Sequence, residues 1–209
     1  MQDPTTSRVL LLRHAETAAP DRFHGAESDV ALGPRGHLQA EAAATALRDS
    51  GIPIAAVYSS GMLRARETAA PIAAALGLDT AVVPELHERR MGSLSGRPLA
   101  EGWDDYQAAM ALWKADDLDA THQGGESYAQ IRDRAVPALA AIADRHRGQA
   151  VVVVAHGVVI RVLLTALLEG SGPVEFDRYG IDFVAVNDLR WDGRTWRAAR
   201  LNGHEVAPG

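Results

Sequence analysis

Short apolar runs rich in β-branched residues alternate with longer segments of helical periodicity along most of the chain. The runs that we interpret as strands are Val9–Leu12, Ala55–Ser59, Ala81–Val83 and Val151–Ala155. Strands that alternate with helices in this way are typical of a parallel sheet with helices on its faces. The pattern therefore predicts an α/β fold.

Apolar residues between these strands recur at helical spacing, which predicts helices that pack on the sheet. One helical face is formed by Ala65, Ala69, Ile72 and Leu76, and a second by Ile131, Ala135, Ala138, Leu139 and Ile142. A weaker helix, with Pro34 in its first turn, is marked by Leu38, Ala42 and Thr45. The fourth strand leads into a buried helix over Val158–Leu168.

The remaining segments complete the expected architecture. A further strand is expected over Asp182–Asn187, and LRWDGRTWRAARL resembles a hairpin with Asp192-Gly193 at its turn. The region from Met91 to Gly125 lacks β-branched runs, so we interpret it as an insertion with a short helix at Tyr106–Trp113. Such an excursion usually covers a site.

The chain is expected to form a single domain. Its 209 residues, 47% of them hydrophobic, suffice for one well-buried core, and there are no internal repeats or low-complexity linkers. The first seven and last seven residues, polar or broken by Pro and Gly, are expected to be loose ends. Residues 150–168 are apolar enough for a membrane helix, but His156, Gly157 and Arg161 favour a strand and a buried helix in a soluble protein.

Charge and composition limit the classes of function that this chain can have. The formal charge of -6 and the scattered basic residues argue against nucleic acid as a partner. The sequence contains no cysteine, which removes disulfides, thiolate nucleophiles and zinc-thiolate sites and fits a reducing compartment. The N-terminus does not resemble a secretory signal, so we expect a cytoplasmic protein.

Three predicted strands end in residues with possible chemistry. Arg13 and His14 follow the first strand, and His156 and Gly157 follow the fourth. The second is followed by Ser59 and Ser60, with Arg64 in the first helical turn. Ligands of open α/β sheets bind outside the carboxyl ends of the strands, so these junctions are expected to converge on one crevice.

This set of side chains suits a phosphate group. Arginine offers paired donors to phosphate oxygens, and helix N-termini add backbone N–H groups. A neutral imidazole is a nucleophile that can form a phosphohistidine, and nearby guanidinium groups should lower its pKa and keep it neutral. An acid is still needed to protonate the leaving oxygen, and Glu85 and Glu88 follow the third strand.

Five blocks, LLRHAET, SSGMLRARETA, ELHERRMGSLSG, GGES and VVVVAHG, occur in an order and at a spacing that resemble the histidine phosphatase superfamily, phosphoglycerate mutase-like branch. The resemblance spans about Val9 to Leu168. It implies a three-layer α/β/α sandwich around a mostly parallel sheet, with no metal or organic cofactor. The implied partner is a small phosphorylated metabolite, and the oligomeric state is not readable.

The resemblance also implies roles for individual residues. His14 resembles the phosphorylated nucleophile, Glu88 the general acid and base, and His156 the second histidine at the phosphoryl group. The residues expected to bind the substrate phosphate are Arg13, Arg64, Thr17, Arg22 and Gly157.

The chain departs from the family pattern at three places. Ala15 replaces the usual glycine after the nucleophile, and Pro20 replaces an asparagine that contacts phosphate or substrate. Arg89 and Arg90 follow Glu88, where the phosphatases usually show an apolar or acidic pair. Two interpretations of these arginines stay open: they favour a second anionic group, or they face solvent.

The predicted insertion favours a phosphatase over a mutase. It is short, with Trp113 followed by acidic residues rather than by the basic, aromatic stretch of the mutases. A short lid also admits water to a phosphohistidine. The alternatives are a mutase-type phosphoryl transferase and a non-catalytic sensor of phosphorylated metabolites, the latter because of Ala15 and Pro20.

Other candidates receive a structural interpretation. Arg161 is expected to be a buried structural donor. The alternative to phosphate binding by Arg64 is an ion pair at the surface with Glu67 or Asp79. Glu126 either orients the site or caps the next helix.

His24 is expected to be an exposed loop residue rather than a substrate contact. A metal site is not expected, because His14 and His156 lack partners at metal-binding spacing. The histidines expected to be solvated are His37, His122, His146 and His204, and the tryptophans are expected to pack the lid and the hairpin.

Overall fold

The computed structural model describes residues 5–206 and contains a seven-stranded sheet in that part of the chain. The strands are β1 (Ser7–Arg13), β2 (Ile54–Ser59), β3 (Thr80–Val82), β4 (Ala150–Ala155), β5 (Val186–Trp191), β6 (Trp196–Leu201) and β7 (His204–Glu205). Their order is β3-β2-β4-β1-β5-β6-β7. The pairs among β1 to β4 are parallel, whereas β5, β6 and β7 add antiparallel pairs.

Five α-helices flank this sheet within residues 5–206. They are α1 (Pro34–Asp49), α2 (Leu63–Leu76), α3 (Leu99–Lys114), α4 (Tyr128–Arg145) and α5 (Gly157–Leu167). One apolar cluster joins α1 and α2 to one face of the sheet, and a larger one joins α3, α4 and α5 to the other. The predicted α/β sandwich is confirmed, with a mixed sheet in which the antiparallel strands lie at one side.

The valine run of β4 follows from its position. β4 lies between β1 and β2, and its residues are buried on both faces. A central strand that is covered by helices on both sides has no solvent face, so it needs no polar alternation. No helix between residues 5 and 206 is long and apolar enough to cross a membrane.

Helix α1 is present, but the face that we expected to mark it is exposed. Leu38 is 72% exposed, and the buried side is formed by Gly36, Ala40 and Ala44. A Cβ on Gly36 would lie 2.0 Å from the carbonyl oxygen of Glu16, so only glycine allows this approach. The helix is therefore held by small residues in close contact and by the buried Leu47 near its end, whereas Leu38 lies outside.

The insertion also differs from expectation. Helix α3 begins at Leu99 rather than at Tyr106, and its buried residues include Tyr106, Met110 and Trp113. Its first turn contains Gly102, where a Cβ would lie 2.8 Å from the Phe23 ring. Tertiary contact with that ring accounts for a glycine that, taken alone, argues against a helix.

The expected strand at Asp182–Asn187 starts later, at Val186. Residues 182–185 form a turn in which Val184 has a φ of 54° and donates its N–H to the Arg13 carbonyl oxygen. The hairpin prediction is confirmed, since β5 and β6 are joined through a turn whose N–H groups are accepted by the Asp192 side chain.

The ends of the described chain are more ordered than expected. Ser7 is buried in β1 and donates its hydroxyl to the Ala143 carbonyl oxygen, and His204–Glu205 form β7. The expectation of loose ends is wrong at these positions. Residues 1–4 and 207–209 lie outside the described part of the chain, and the single-domain interpretation stays a prediction.

Candidate active site

The carboxyl ends of β1 and β4 bring two distant histidines together. The strands pair in parallel up to Arg13 and Ala155, and the His14 N–H then donates to the Ala155 carbonyl oxygen at 2.9 Å. The centres of the His14 and His156 rings are 5.1 Å apart. The predicted convergence of these two junctions on one crevice is therefore present in the structure.

Two adjoining cavities open at this end of the sheet. The small cavity, of about 90 Å³, is lined by Arg13, His14, Thr17, Pro20, Arg22, His24, Glu88 and Phe183. The large cavity, of about 270 Å³, has Trp103, Tyr106, Gln107, Gly157, Arg161 and Phe176 among its lining residues. Arg13, Arg22, His24 and Glu88 line both, so the two cavities are parts of one site.

His14 is held as a neutral imidazole with one free nitrogen. Its Nδ1 lies 2.7 Å from the carbonyl oxygen of Ala15, which only accepts, so Nδ1 carries the proton and Nε2 keeps its lone pair. Burial, Arg64 and Arg13 together hold the pKa of His14 well below its ordinary value. At neutral pH the ring is therefore ready to act as a nucleophile.

His156 is completely buried beside His14 and lines neither cavity. Its Nε2 lies 2.7 Å from the Ser60 hydroxyl, which also accepts the Met62 N–H. Its Nδ1 is buried and has no partner within residues 5–206. Burial and Arg64 hold the pKa of His156 well below its ordinary value, so the ring is neutral at neutral pH.

Arg13 is fixed by the turn that precedes β5. Its guanidinium carbon lies 4.0 Å from the centre of the Phe183 ring, and its Nη1 donates to the Ile181 carbonyl oxygen at 2.9 Å. Its Nε is buried and unpartnered in the described part of the chain. Burial lowers the pKa of Arg13 from its ordinary value.

Arg64 is fully buried behind the histidines rather than paired at the surface. It lines neither cavity, and its Nη1 donates to the Ser28 carbonyl oxygen at 2.9 Å. The alternative ion pair with Glu67 or Asp79 is absent among the described residues. The positive charge of Arg64 is felt at both rings, where it lowers the histidine pKa.

Of the two acids after β3, Glu88 lies in the site. It is 7% exposed, and its two carboxylate oxygens accept the Arg89 N–H at 2.9 Å and, weakly, the Val158 N–H at 3.4 Å. Glu85 is exposed and lines neither of the two cavities. Glu126 also lies outside both and forms an ion pair with Arg134, while Ser127 caps α4.

The other predicted phosphate ligands are present at the cavities. Thr17 and Arg22 line the small cavity, and Gly157, the first residue of α5, lines the large one. Arg22 is exposed, and its Nη1 donates to the Gly96 carbonyl oxygen at 2.7 Å. The structure thus places all of the predicted site residues at or directly behind one pair of cavities; their roles stay predictions.

Two expectations about nearby residues are wrong. His24 is half-buried, not exposed; its ring nitrogens lie 2.8 Å and 2.7 Å from the Ser28 hydroxyl and the Ala19 carbonyl oxygen. Arg89 meets neither interpretation, because it is fully buried outside both cavities, with its guanidinium carbon 4.7 Å from the Trp113 ring centre. Arg90 is exposed, as one interpretation expected.

Sequence reasoning did not assign to the site several residues that line the cavities, among them Arg161, Phe183 and Trp103. Arg161 is half-buried, and although its Nε donates to the Tyr179 carbonyl oxygen at 2.9 Å, its side chain lines the large cavity. Arg161 lies one helical turn after Gly157, and this spacing predicts that the two residues lie on the same side of α5. Phe183 and Trp103 carry no such signal, and Trp103 is 48% exposed on the cavity wall instead of packed inside the lid.

The four histidines that were expected to be solvated fall into two groups. His37 and His204 are exposed, as expected. His122 and His146 are half-buried and form hydrogen bonds with the Met91 carbonyl oxygen and the Tyr58 hydroxyl. Among residues 5–206 there is no cluster of three or more His, Asp or Glu side chains arranged to hold a metal ion.

A comparison with protein families agrees with this geometry. The family model of the histidine phosphatase superfamily, branch 1, matches residues 9–204. The chain belongs to the histidine phosphatase superfamily. The predicted family is thereby confirmed, and the match extends beyond Leu168 to include the turn with Phe183 and the terminal strands.

Similar proteins of this superfamily carry phosphatase and mutase-like names. The metal-independent phosphoserine phosphatase of Arabidopsis thaliana is 35% identical over 91% of this chain and 81% of its own length. Phosphoglycerate mutase-like protein 4 of the same plant is 34% identical over 93% and 84%. The structure of a mycobacterial glucosyl-3-phosphoglycerate phosphatase superposes with a TM-score of 0.79 at 28% identity, covering 94% of this chain and 99% of that one.

Proposed function

We propose that this histidine phosphatase hydrolyses small phosphomonoesters through a phosphohistidine on His14, without a metal ion. The observation that carries the proposal is the small cavity, in which a neutral, buried imidazole with a free Nε2 shares a wall with Arg13 and Glu88. Its volume of about 90 Å³ is suited to one phosphoryl group. A positioned nucleophile, cationic donors and an acid are together sufficient for phosphoryl transfer.

In the first step, Nε2 of His14 attacks phosphorus as the bond from phosphorus to the ester oxygen breaks. Glu88 gives a proton to that oxygen, so the alcohol leaves neutral and the carboxylate remains. Because Nδ1 of His14 donates to the Ala15 carbonyl oxygen, the positive charge that develops on the ring is stabilised on the side opposite the new bond. The product of this step is a phosphohistidine and a free alcohol.

In the second step, water attacks the phosphohistidine and Glu88 takes a proton from it. The bond from phosphorus to nitrogen breaks, Nε2 regains its lone pair, and inorganic phosphate leaves. Glu88 is thereby returned to its protonated state for the next cycle. One carboxyl group serves both steps, which requires that it stay close to His14; its hydrogen bonds to the amides of Arg89 and Val158 hold it there.

Donors around the small cavity stabilise the transferring group. Arg13 supplies a guanidinium from the wall, Arg64 adds positive charge close to the rings, and His156 lies beside His14 as the second histidine. Thr17 and Arg22, which line the same cavity, add polar contacts. Donors fixed before the reaction need no reorganisation in the transition state, which is where such groups lower the barrier.

Hydrolysis is favoured over transfer back to the product. The large cavity is open to solvent beside helix α3, and the charged residues that follow Trp113 are mainly acidic. Water that reaches the phosphohistidine competes with the departing alcohol. Two of the similar proteins carry phosphatase names, which supports the same choice.

The substrate is proposed only as a class. The names of those two proteins, phosphoserine phosphatase and glucosyl-3-phosphoglycerate phosphatase, support a small phosphorylated metabolite. The expected absence of nucleic acid and membrane partners and the cytoplasmic location stay predictions.

Phosphate release in the presence of EDTA tests this function. The purified chain is assayed with p-nitrophenyl phosphate, O-phosphoserine and 3-phosphoglycerate, and both inorganic phosphate and 2-phosphoglycerate are measured. We expect free phosphate without isomer, complete loss of it in His14→Ala, and no change in His37→Ala, an exposed-histidine control. Isomer without phosphate would establish a mutase, and binding without either product would establish a sensor.

A further inference from the structure

The large cavity contains polar groups that the proposed reaction does not use. Arg161 lines it from α5, and Tyr106 and Gln107 line it from α3. The Nε of Arg161 is bonded to the Tyr179 carbonyl oxygen, but its two terminal amino groups have no partner within residues 5–206. Neither the Tyr106 hydroxyl nor the Gln107 amide has a hydrogen bond there.

Arg161 carries a charge that has no ion-pair partner among the described residues. It repels Arg13, which lines the same cavity, although the attraction of Glu88 for Arg13 is the larger effect. The acidic residues on the wall are Glu88 and Asp177, and Asp177 is paired with Lys114 at 2.5 Å. A carboxylate between the unpaired donors would remove this repulsion.

The other walls limit the size and character of a ligand. Phe176 lies under the Arg161 guanidinium, with 5.6 Å between the guanidinium carbon and the ring centre, and Trp103 stacks on Tyr106 at the mouth. These rings make the cavity wall apolar around the donors of Arg161, Tyr106 and Gln107. Burial raises the pKa of Tyr106, so its hydroxyl keeps its proton and acts as a donor. A compact acid fits this surface better than a neutral polar chain.

We propose that the large cavity receives the alcohol portion of the substrate and that Arg161, assisted by the Tyr106 hydroxyl, binds a carboxylate on it. This inference rests on the proposed function, because it assumes that the phosphoryl group occupies the small cavity. The substrate class is then the phosphomonoester of a small hydroxy acid. Arg161 is a specificity residue for the leaving group, separate from the groups that transfer phosphate.

Two matched pairs of esters test the proposal. 3-Phosphoglycerate and glycerol 3-phosphate differ by a carboxylate in place of a hydroxymethyl group, and O-phosphoserine and phosphoethanolamine differ by the presence of a carboxylate. We expect the wild-type kcat/KM to favour the acid of each pair by about 10- to 100-fold, the range of one charge-assisted hydrogen-bonded contact. The readout is this ratio, which does not depend on the fraction of folded enzyme.

Variants of the lining residues test whether the preference for the acid arises in the large cavity. Arg161→Gln should reduce both ratios to near one, Arg161→Lys should retain part of them, and Tyr106→Phe, which removes only the hydroxyl, should reduce them several-fold. Arg48→Gln, an exposed arginine at the end of α1, is the matched control and should leave both ratios unchanged.

The possible failures are distinguishable. Wild-type ratios near one, or ratios that Arg161→Gln leaves unchanged, would overturn the carboxylate subsite while phosphate release still supports the hydrolase. If none of the four esters releases phosphate, the proposed function fails and the subsite fails with it. If Arg161→Gln does not fold, unchanged ratios in Tyr106→Phe and Arg161→Lys overturn the subsite on their own.

Discussion

Three arginines near the site lie largely out of solvent without an ion-paired carboxylate within residues 5–206. Arg13, Arg64 and Arg89 each have an Nε atom that is buried and unbonded. An uncompensated buried charge costs several kcal/mol, so such groups persist where a ligand or a function compensates for them. A bound phosphoryl group would compensate Arg13 and Arg64, but Arg89 lies outside both cavities, under Trp113 and Tyr106.

Replacing Arg89 should therefore make the protein more stable. In Arg89→Met an unbranched apolar chain, shorter than that of arginine, packs between the lid rings and the buried charge is removed. We expect the free energy of unfolding, measured by urea denaturation, to rise by about 1 to 3 kcal/mol.

The matched control is Arg89→Lys, which keeps the charge but loses the planar stack on Trp113, and it should be less stable than the wild type. A lower free energy of unfolding in Arg89→Met would show that the contacts of the guanidinium with His122 and the rings outweigh its desolvation.

The loop between β3 and α3 positions Glu88, and two carboxylates hold the loop. Glu126 accepts the Arg90 N–H at 3.2 Å, and Glu27 accepts the N–H groups of Met91 and Gly92 at 3.1 Å and 2.9 Å. Arg134 bonds both oxygens of Glu126 at 2.7 Å and 2.9 Å. Burial alone would raise the pKa of Glu126, but Arg134 and the Arg90 amide outweigh it and lower that pKa.

Weakening the contact between Glu126 and the loop that carries Glu88 should slow the reaction without changing the affinity for substrate. In Glu126→Gln the loss of charge weakens the bond to Arg134, and the loop that carries Glu88 becomes less well placed. We expect kcat with p-nitrophenyl phosphate to fall by about 10- to 100-fold while KM stays within about twofold.

Glu85→Gln changes an exposed acid on the same loop and is the matched control, with no expected effect on kcat. The positioning role of Glu126 would be refuted by a kcat equal to that of the wild type, or by equal losses in the two variants.

Elements were predictable from the sequence where one periodicity dominates. The valine run of β4 and the apolar face of α4 gave their types and approximate bounds. Helix α1 was placed correctly but with the wrong face, because Gly36 and Ala40 pack by close approach and Leu38 is largely exposed. The start of β5 was misplaced since Val184 adopts a positive φ that no local pattern indicates.

At the scale of the whole molecule, the sheet topology makes the site. β1 and β4 are neighbours in the sheet although most of the chain lies between them, and their parallel pairing places the two histidines at one edge. This convergence followed from the sequence, because parallel strands end together. The places of Arg161 and Phe183 at the cavities could not be predicted in this way, because they depend on how α5 and the turn before β5 fold over that edge of the sheet.

The two buried histidines should make the stability of the whole protein depend on pH. Their pKa values are lowered in the folded state, so below the unfolded value of about 6.5 the unfolded chain binds protons that the folded chain does not. Stability should be constant above about pH 7 and fall between about pH 6.5 and 5, by roughly 1 kcal/mol per pH unit for each histidine.

Urea denaturation across this range measures the effect. The doubly substituted protein with His14→Gln and His156→Gln should lose most of the slope, and His204→Gln, at an exposed position, should retain it. A slope that survives in the double variant would show that other groups cause the acid destabilisation.

The most direct test of the central claim is the identification of the phosphorylated residue. The enzyme is mixed with p-nitrophenyl phosphate, quenched within milliseconds in alkali, where phosphohistidine survives, and analysed by peptide mass spectrometry. We predict one phosphoryl group, on His14, formed before steady-state phosphate release and absent in His14→Ala. Phosphate release at the full rate with no phosphorylated residue, or with the phosphoryl group on another side chain, would contradict the account.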